Sequence, residues 1–159
     1  MKTVYLSLGS NMGDRAATLR QAVESLPGAG VEVVRTSSVY ETEPVELRDQ
    51  NWFLNMAVEC RTGLFPLQLL RRLKKIEASL GRKRTVPKGP RTIDIDIIFY
   101  GRAVMGTPAL EIPHPRFRER RFVLAPLAEL APALRDPVTG RTIADLLAGT
   151  AGQNVRRLV

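Results

Sequence analysis

The most constraining feature of the sequence is the run TIDIDIIFY at residues 92–100, in which apolar and polar side chains alternate. Alternation with a period of two is typical of a β-strand that has one face against a core. One face of this strand would carry isoleucines, and the other would carry Asp94 and Asp96. The chain must therefore form a sheet in which two carboxylates leave the same face of one strand.

Similar patterns predict further strands and helices in the order strand, helix, strand, strand, helix, strand. The predicted strands are Thr3–Leu8, Val31–Thr42, Trp52–Cys60 and Thr92–Tyr100, with one helix ending at Pro27 and another running from Pro66 to Gly81. A doubly wound parallel sheet would need a crossover helix between the second and third strands, and the polar loop there is too short. The sequence therefore predicts the α+β class: a two-layer, ferredoxin-like βαββαβ sandwich, with helices packed on a mainly antiparallel sheet.

Length and composition limit the classes of protein that the chain can form. The 159 residues are enough for a single domain spanning residues 1–159. Cys60 is the only cysteine, which excludes an intrachain disulfide and a cysteine-based zinc site within one chain. No stretch of about 18 apolar residues and no signal-peptide pattern is present, so we expect a cytoplasmic protein without a membrane span. We also expect a monomer.

Basic residues are in excess and fall in two clusters. The net charge is +8, and the cations concentrate in residues 82–91 and 116–121. An excess of this kind favours a polyanionic partner, but it fits a nucleic acid, a nucleotide triphosphate or a solvated surface. Arg82, Arg84 and Arg91 could form fork-shaped contacts with triphosphate oxygens.

Asp94 and Asp96 are candidate metal ligands because carboxylate oxygens suit Mg²⁺ and both side chains leave one strand face. A pair of this kind can hold two ions that clamp a transferring phosphoryl group. An isolated alternating pair is more often a solvated sheet face. Here the strand follows directly after the cationic Gly-Pro-Arg turn, which favours the metal site.

Four other positions suggest a pocket for a flat heterocycle next to phosphate. Phe53 and Asn55 share one strand face and could stack on a ring and read its edge, with Phe122 as a second stacking partner. His114 lies between two prolines, which would fix its imidazole for hydrogen bonding. Each signal is weak alone, since aromatic residues and single histidines are commonly structural.

Six blocks in order along nearly the whole chain resemble the 6-hydroxymethyl-7,8-dihydropterin pyrophosphokinases of folate biosynthesis. The blocks are SLGSNMGD, VYETEPV, NWFLNMAVE, LKKIEASLGRKR, GPRTIDIDII and IPHPRFRERRFVLAPLAELAP. The resemblance implies a ferredoxin-like fold and transfer of the β,γ-diphosphate of ATP to the pterin's hydroxymethyl oxygen, with release of AMP. ATP and a reduced hydroxymethylpterin are then the expected partners, rather than a nucleic acid.

The same resemblance implies roles for individual residues. It assigns two Mg²⁺ ions to Asp94 and Asp96, and catalytic roles to Arg82, Arg91, Asp94 and Asp96. The implied pterin-binding residues are Thr42, Pro44, Val45, Phe53, Asn55 and Phe122. The implied ATP-binding residues are Lys74, Glu77, Arg82, Arg84, Arg91, Ile97, Leu110, His114 and Arg120.

Two other functions remain open from the residues alone. A basic ferredoxin-like chain could be an RNA-binding module, which would expose aromatic residues on neighbouring strands among cations. Phe53 has no evident aromatic partner of that kind, and paired aspartates would repel a phosphate backbone unless metal ions intervene. A catalytically silent interaction domain is the third alternative, and the intact Asp94, Asp96, Asn55 and Arg91 argue against it.

Overall fold

The computed structural model of the chain describes residues 1–43, 51–81 and 92–158. Its strands are β1 Lys2–Ser10, β2 Val31–Thr36, β3 Tyr40–Thr42, β4 Phe53–Thr62, β5 Asp94–Tyr100, β6 Met105–Gly106, β7 Glu111–Ile112 and β8 Val155–Arg157. Its α-helices are α1 Arg15–Ser25, α2 Pro66–Ser79, α3 Arg121–Leu130 and α4 Ile143–Ala148. None of the helices in these ranges is long and apolar enough to cross a membrane.

The main sheet has the strand order β5, β1, β4, β3, β8, and β2 also pairs with β4. Every pairing in it is antiparallel. The fourth, first, third and second of the predicted strands therefore lie side by side, as a βαββαβ unit requires. The predicted α+β class and its mainly antiparallel sheet are confirmed.

One face of the sheet packs against α1 and α2. Asp14 begins α1 by accepting a hydrogen bond from the Ala17 N–H at 3.1 Å, and Pro66 occupies the first turn of α2. In the core on this side, alternate residues of the strands pack against the apolar faces of the two helices. Its residues include Val4, Leu6, Leu8, Leu19, Ala22, Leu54, Met56, Val58, Leu69, Leu73, Ile95 and Ile97. Each large apolar side chain buried in this way contributes about 1.5–3 kcal/mol to folding.

The opposite face packs against α3 and α4, which add a third layer to the expected two. Tyr5 pairs with Phe99 and Leu6 with Ile97, so a β-bulge leaves Ile98 without a partner on β1. Ile98 and Phe99 consequently both belong to the second core, which contains Leu124 of α3. The bulge therefore gives β5 a wider apolar contact with this layer.

The expected single strand Val31–Thr42 is wrong, because it is broken into β2 and β3 at Ser37. The Ser37 N–H donates to the Ala57 carbonyl, and the Ser37 hydroxyl accepts from the Ala57 N–H, both at 2.9 Å. Glu129 of α3 then accepts the Ser38 N–H at 2.9 Å. These partners come from distant parts of the chain, so the alternation of residues did not indicate the break.

The start of β4 and the strand that pairs with β3 also differ from expectation. Trp52 precedes β4 instead of opening its apolar face, and its exposed fraction is 38%. The C-terminal segment Val155–Arg157, for which we predicted no strand, forms β8 and pairs with β3. The chain terminus therefore helps to hold β3, the strand that carries Thr42.

A buried carboxylate anchors the segment that follows β7. Asp136 has no exposed surface and accepts hydrogen bonds from Arg118 Nη2 at 3.0 Å, the Val138 N–H at 3.0 Å and the Thr139 hydroxyl at 2.8 Å. Burial alone would raise the pKa of Asp136, but the Arg118 guanidinium and the other donors outweigh it and lower the pKa to about 2. The short 3₁₀ helix Phe117–Glu119 is thereby fixed to the loop before α4.

We expect Asp136→Asn to lower the free energy of unfolding by about 2 kcal/mol near neutral pH, because it removes a charge-assisted pair. The pKa of Asp136 is lower in the folded chain than its usual value of 3.8, so this stabilisation is present above about pH 4 and is lost as the pH falls toward 2. Denaturant unfolding at a series of pH values should show wild type and variant converging in acid. A constant difference would contradict the assignment. Glu24→Gln, at an exposed position of α1, is the control.

Candidate active site

Asp94 and Asp96 lie on the sheet face opposite to α1 and α2, as the alternation predicted. Asp94 pairs with Gly9 of β1 and Asp96 with Ser7, while Ile95 between them is buried in the core of the other face. Asp94 is partly exposed and Asp96 is exposed. Alternate side chains on a strand start about 6.6–6.8 Å apart, so both carboxylates can reach one group on the solvent side.

Glu77 ties α2 to the strand that carries the aspartates. Its Oε2 accepts the Ile95 N–H at 2.7 Å, and its exposed fraction is 7%. Because β5 lies at the edge of the described sheet, this N–H points away from β1. Glu77 therefore fixes the backbone between Asp94 and Asp96, next to the position where the resemblance implies ATP.

Asn55, Phe53 and Thr42 meet beside Gly9 at the same end of the sheet. The Thr42 hydroxyl donates to Asn55 Oδ1 at 2.6 Å, which leaves the amide nitrogen as a hydrogen-bond donor. A Cβ atom built on Gly9 would lie 2.7 Å from Asn55 Nδ2 and 3.7 Å from Phe53 Cδ1. Only glycine leaves room for both side chains at this point.

Gly9 also connects the two halves of the candidate site. It pairs with Asn55 on one side and with Asp94 on the other. Since neighbouring strands lie about 4.8 Å apart, the backbones of Asn55 and Asp94 are separated by about 10 Å across Gly9. One flat ring with a short side group can span that distance.

His114 is held beside β5 by its backbone and by its ring. The His114 N–H donates to the carbonyl of Ile98 at 3.1 Å, and Ile98 lies two residues after Asp96 on β5. His114 Nδ1 accepts the Arg116 N–H at 3.1 Å, so the neutral ring carries its proton on Nε2. Burial, followed by the charges of Arg120 and Arg116, lowers the pKa of His114 to about 4. His114 therefore presents a neutral N–H donor near pH 7.

Arg120 and Phe122 lie together at the start of α3. The guanidinium carbon of Arg120 is 5.6 Å from the centroid of the Phe122 ring, a cation–π distance. Phe122 packs partly buried against the second core. Since the charge of Arg120 also lowers the pKa of His114, these three expected site residues belong to one neighbourhood of the third layer.

Three further expected ATP residues lie on the side of the sheet that α1 and α2 cover, and their roles stay predictions. The Ile97 side chain is buried in the core beneath the sheet, on the face opposite to Asp94 and Asp96. Leu110 is partly buried and packs against that same core. Lys74 is exposed on α2, one turn before Glu77. For Ile97, a contact with a ligand on the aspartate face would have to involve its backbone.

Several expected site residues lie outside the described residues. They are Pro44 and Val45 of the expected pterin site and Arg82, Arg84 and Arg91 of the expected ATP and catalytic sites. Their assignments stay predictions. Among the described residues, no group of three or more His, Cys, Asp or Glu side chains could by itself hold a metal ion.

The fold has close structural relatives. It superposes with a TM-score of 0.75 on a crystal structure of Plasmodium falciparum HPPK-DHPS with pterin and p-hydroxybenzoate. The match covers 95% of this chain and 42% of that one, at 18% identity, so the likeness identifies the fold. The sheet and its helices therefore form a ferredoxin-like α+β fold, the class of fold to which that structure is similar.

Sequence relatives define the family more narrowly. A model of the 7,8-dihydro-6-hydroxymethylpterin-pyrophosphokinase (HPPK) family matches residues 5–132. The 2-amino-4-hydroxy-6-hydroxymethyldihydropteridine pyrophosphokinase of Bacillus subtilis is 52% identical over 85% of this chain and 81% of its own length. The chain belongs to the HPPK family. It is also 46% identical to the folic acid synthesis protein fol1 of Pneumocystis carinii over 90% of its length, but spans only 19% of that protein.

Gly9 is the residue of the candidate site that the sequence analysis missed. The first predicted strand ends at Leu8, whereas β1 continues to Ser10 and so includes Gly9. A glycine inside a strand often marks a close approach of another group, and that signal could have indicated Gly9. The group that approaches it, the Asn55 amide, became evident only from the register of β1 and β4.

We expect the ring of His114 to titrate with a midpoint near pH 4, and the Nε2–H tautomer to dominate above it. His114 is the only histidine, so its ring signals can be assigned directly in a pH series of ¹⁵N–¹H correlation spectra. The folded state binds this proton less readily than the unfolded state, so stability should fall as the pH drops from about 6.5 to 4. A midpoint near 6.5, or a ring protonated on Nδ1, would contradict the geometry.

Proposed function

We propose that the protein transfers the β,γ-diphosphate of ATP to the hydroxymethyl oxygen of 6-hydroxymethyl-7,8-dihydropterin and releases AMP, as a step of folate biosynthesis. Membership of the HPPK family supports the reaction. The observation that carries it in the structure is the row Asp94, Gly9, Asn55 across three paired strands. This row holds the Asp94 carboxylate and the Asn55 amide at the two ends of a span of about 10 Å, which supports a metal site at one end and a ring-binding site at the other.

The pterin would lie over Gly9, between the aromatic side chains of Phe53 and Phe122. With Asn55 Oδ1 occupied by the Thr42 hydroxyl at 2.6 Å, the Asn55 NH₂ group can donate to an acceptor on the ring edge. Stacking between aromatic faces favours a flat bicyclic ring and excludes water from it. The hydroxymethyl group would then point along the row toward Asp94.

Asp94 and Asp96 would hold two Mg²⁺ ions. The donor set fits, because Mg²⁺ prefers carboxylate oxygens and keeps most of its other positions for water and substrate phosphates. Two carboxylates without a third protein ligand among the described residues suit that division. When bound, the ions would supply charge neutralisation to the triphosphate.

The remaining residues would bind and align the phosphate groups of ATP rather than act as general acids or bases. Neutral His114 can donate from Nε2 to a phosphate oxygen, and Arg120 can bind one through its guanidinium. Glu77 holds β5 through the Ile95 N–H, so the two aspartates keep their orientation as the triphosphate binds. A strong base is not needed, because phosphoryl transfer depends mainly on alignment and charge stabilisation.

We expect Asp94→Asn and Asp96→Asn each to reduce turnover by roughly 10²–10³-fold, because each removes a charged ligand from the phosphate site. Turnover is measured with ATP, Mg²⁺ and the reduced hydroxymethylpterin, and the nucleotide products are separated by chromatography. AMP supports the proposal, while ADP would indicate an ordinary kinase and overturn it. Asp145→Asn, on exposed α4 surface, is the matched control and should be as active as wild type. Near-normal rates in either strand variant would exclude the metal assignment.

We expect Gly9→Ala to raise the KM for the pterin by about tenfold or more, because the added Cβ displaces the Asn55 amide from its position. Gly28→Ala is the matched control, since no atom lies within 4 Å of a Cβ built at Gly28. Steady-state kinetics at saturating ATP, with circular dichroism as a check of folding, compare the two variants. An unchanged KM in folded Gly9→Ala would rule out ring binding over Gly9.

A further inference from the structure

Arg120 occupies the junction between the 3₁₀ helix Phe117–Glu119 and α3, and its conformation is extended, with φ −113° and ψ 101°. Arg120 makes no side-chain cap for α3. The side-chain amide of Gln153 binds the chain there instead. Its Oε1 accepts the Arg121 N–H at 3.0 Å, and its Nε2 donates to the Glu119 carbonyl at 2.7 Å.

These two hydrogen bonds hold the two peptide groups that flank the Cα atom of Arg120. The Glu119 carbonyl belongs to the peptide plane before that atom, and the Arg121 N–H belongs to the plane after it. The same planes are also held locally, because the Arg120 N–H donates to the Phe117 carbonyl at 3.2 Å and the Arg120 carbonyl accepts the Leu124 N–H at 3.0 Å. The Gln153 contacts add a restraint from a distant part of the chain on φ and ψ of Arg120, the two soft backbone angles of a residue. The Gln153 amide therefore restrains the backbone at Arg120 with one donor and one acceptor, as a neighbouring strand restrains a residue in a sheet.

Gln153 is itself held in place by the turn that follows α4. The Gln153 N–H donates to the Thr150 carbonyl at 3.1 Å, and the Thr150 hydroxyl donates to the Leu147 carbonyl at 2.8 Å. Arg121 Nη1 donates to the Leu147 carbonyl at 3.2 Å, so the turn and the start of α3 are joined a second time. A short distance further along the chain, β8 pairs with β3.

We propose that Gln153 is a positioning residue for substrate binding: its amide sets the backbone of Arg120 and thereby aims Arg120 at the triphosphate and Phe122 at the pterin. The inference rests on the proposed function, since it takes Arg120 and Phe122 as substrate contacts. Gln153 lies beyond the residues 5–132 that match the HPPK family. The segment after that match thus contributes to the arrangement of the candidate site.

The test compares Gln153→Met and Gln153→Glu with wild type. Methionine keeps the length of the side chain and loses both hydrogen bonds, while glutamate keeps the acceptor for the Arg121 N–H and loses the donor to Glu119. Gln68→Met is the matched control, because Gln68 Oε1 accepts the Phe65 N–H at 2.9 Å at the start of α2, away from these contacts. It loses a glutamine-to-backbone hydrogen bond of the same kind.

Two measurements are made on each protein. We expect Gln153→Met to raise the KM values for ATP and for the pterin by about tenfold, as expected for losing one well-aligned contact, while Gln68→Met leaves both unchanged. We also expect the titration midpoint of His114, followed by NMR, to move upward in Gln153→Met, because Arg120 moves away from the ring. Gln153→Glu should show both effects in the same directions.

The two measurements separate this inference from the proposed function. Unchanged KM values and an unchanged His114 titration in a folded Gln153 variant overturn the inference, and so do equal changes in Gln68→Met. Absence of turnover in the wild-type protein overturns the proposed function instead. In that case the His114 titration alone still decides whether Gln153 holds Arg120 in place.

Discussion

The register of β5 against β1 is the constraint on which the candidate site depends. Because side chains alternate along a strand, a slip of one residue would turn Asp94 and Asp96 into the apolar core and Ile95 out to solvent. Burial of that isoleucine layer against α1 and α2 therefore also fixes the carboxylates on the open face. Glu77 adds a specific contact to the Ile95 N–H, so the same helix that packs on the strand sets its position along the edge.

The third layer brings the second half of the site to that face. The bulge at Ile98 widens the apolar contact of β5 with α3, and the same residue's carbonyl receives the His114 N–H. Asp136 and Gln153 hold the segment between β7 and α3 from two further points of the chain. The polar residues near the proposed phosphate site are thus oriented by buried or paired groups that contact no substrate.

Regular alternation made much of the sheet predictable, including the shared face of Asp94 and Asp96 and that of Phe53 and Asn55. The break at Ser37 was not predictable, since it depends on Ala57 and on α3, which only the folded chain brings near. The expected two layers are wrong because α3 and α4 cover the second face of the sheet, where Tyr5, Ala57 and Leu124 belong to one core. The cytoplasmic location, the monomeric state and the absence of nucleic-acid binding stay predictions.

The cationic residues and the carboxylates of the candidate site lie on different elements of the fold. His114 is neutral because it is buried near Arg120 and Arg116, so it adds a hydrogen-bond donor without further positive charge. The carboxylates lie on the strand, where the proposed Mg²⁺ ions would let them hold a triphosphate instead of repelling it. In such a site the rate depends on alignment more than on proton transfer, and an error of about 1 Å can cost roughly 10²-fold. That sensitivity is the reason why positioning of Arg120 by the Gln153 amide would affect the rate of the proposed reaction.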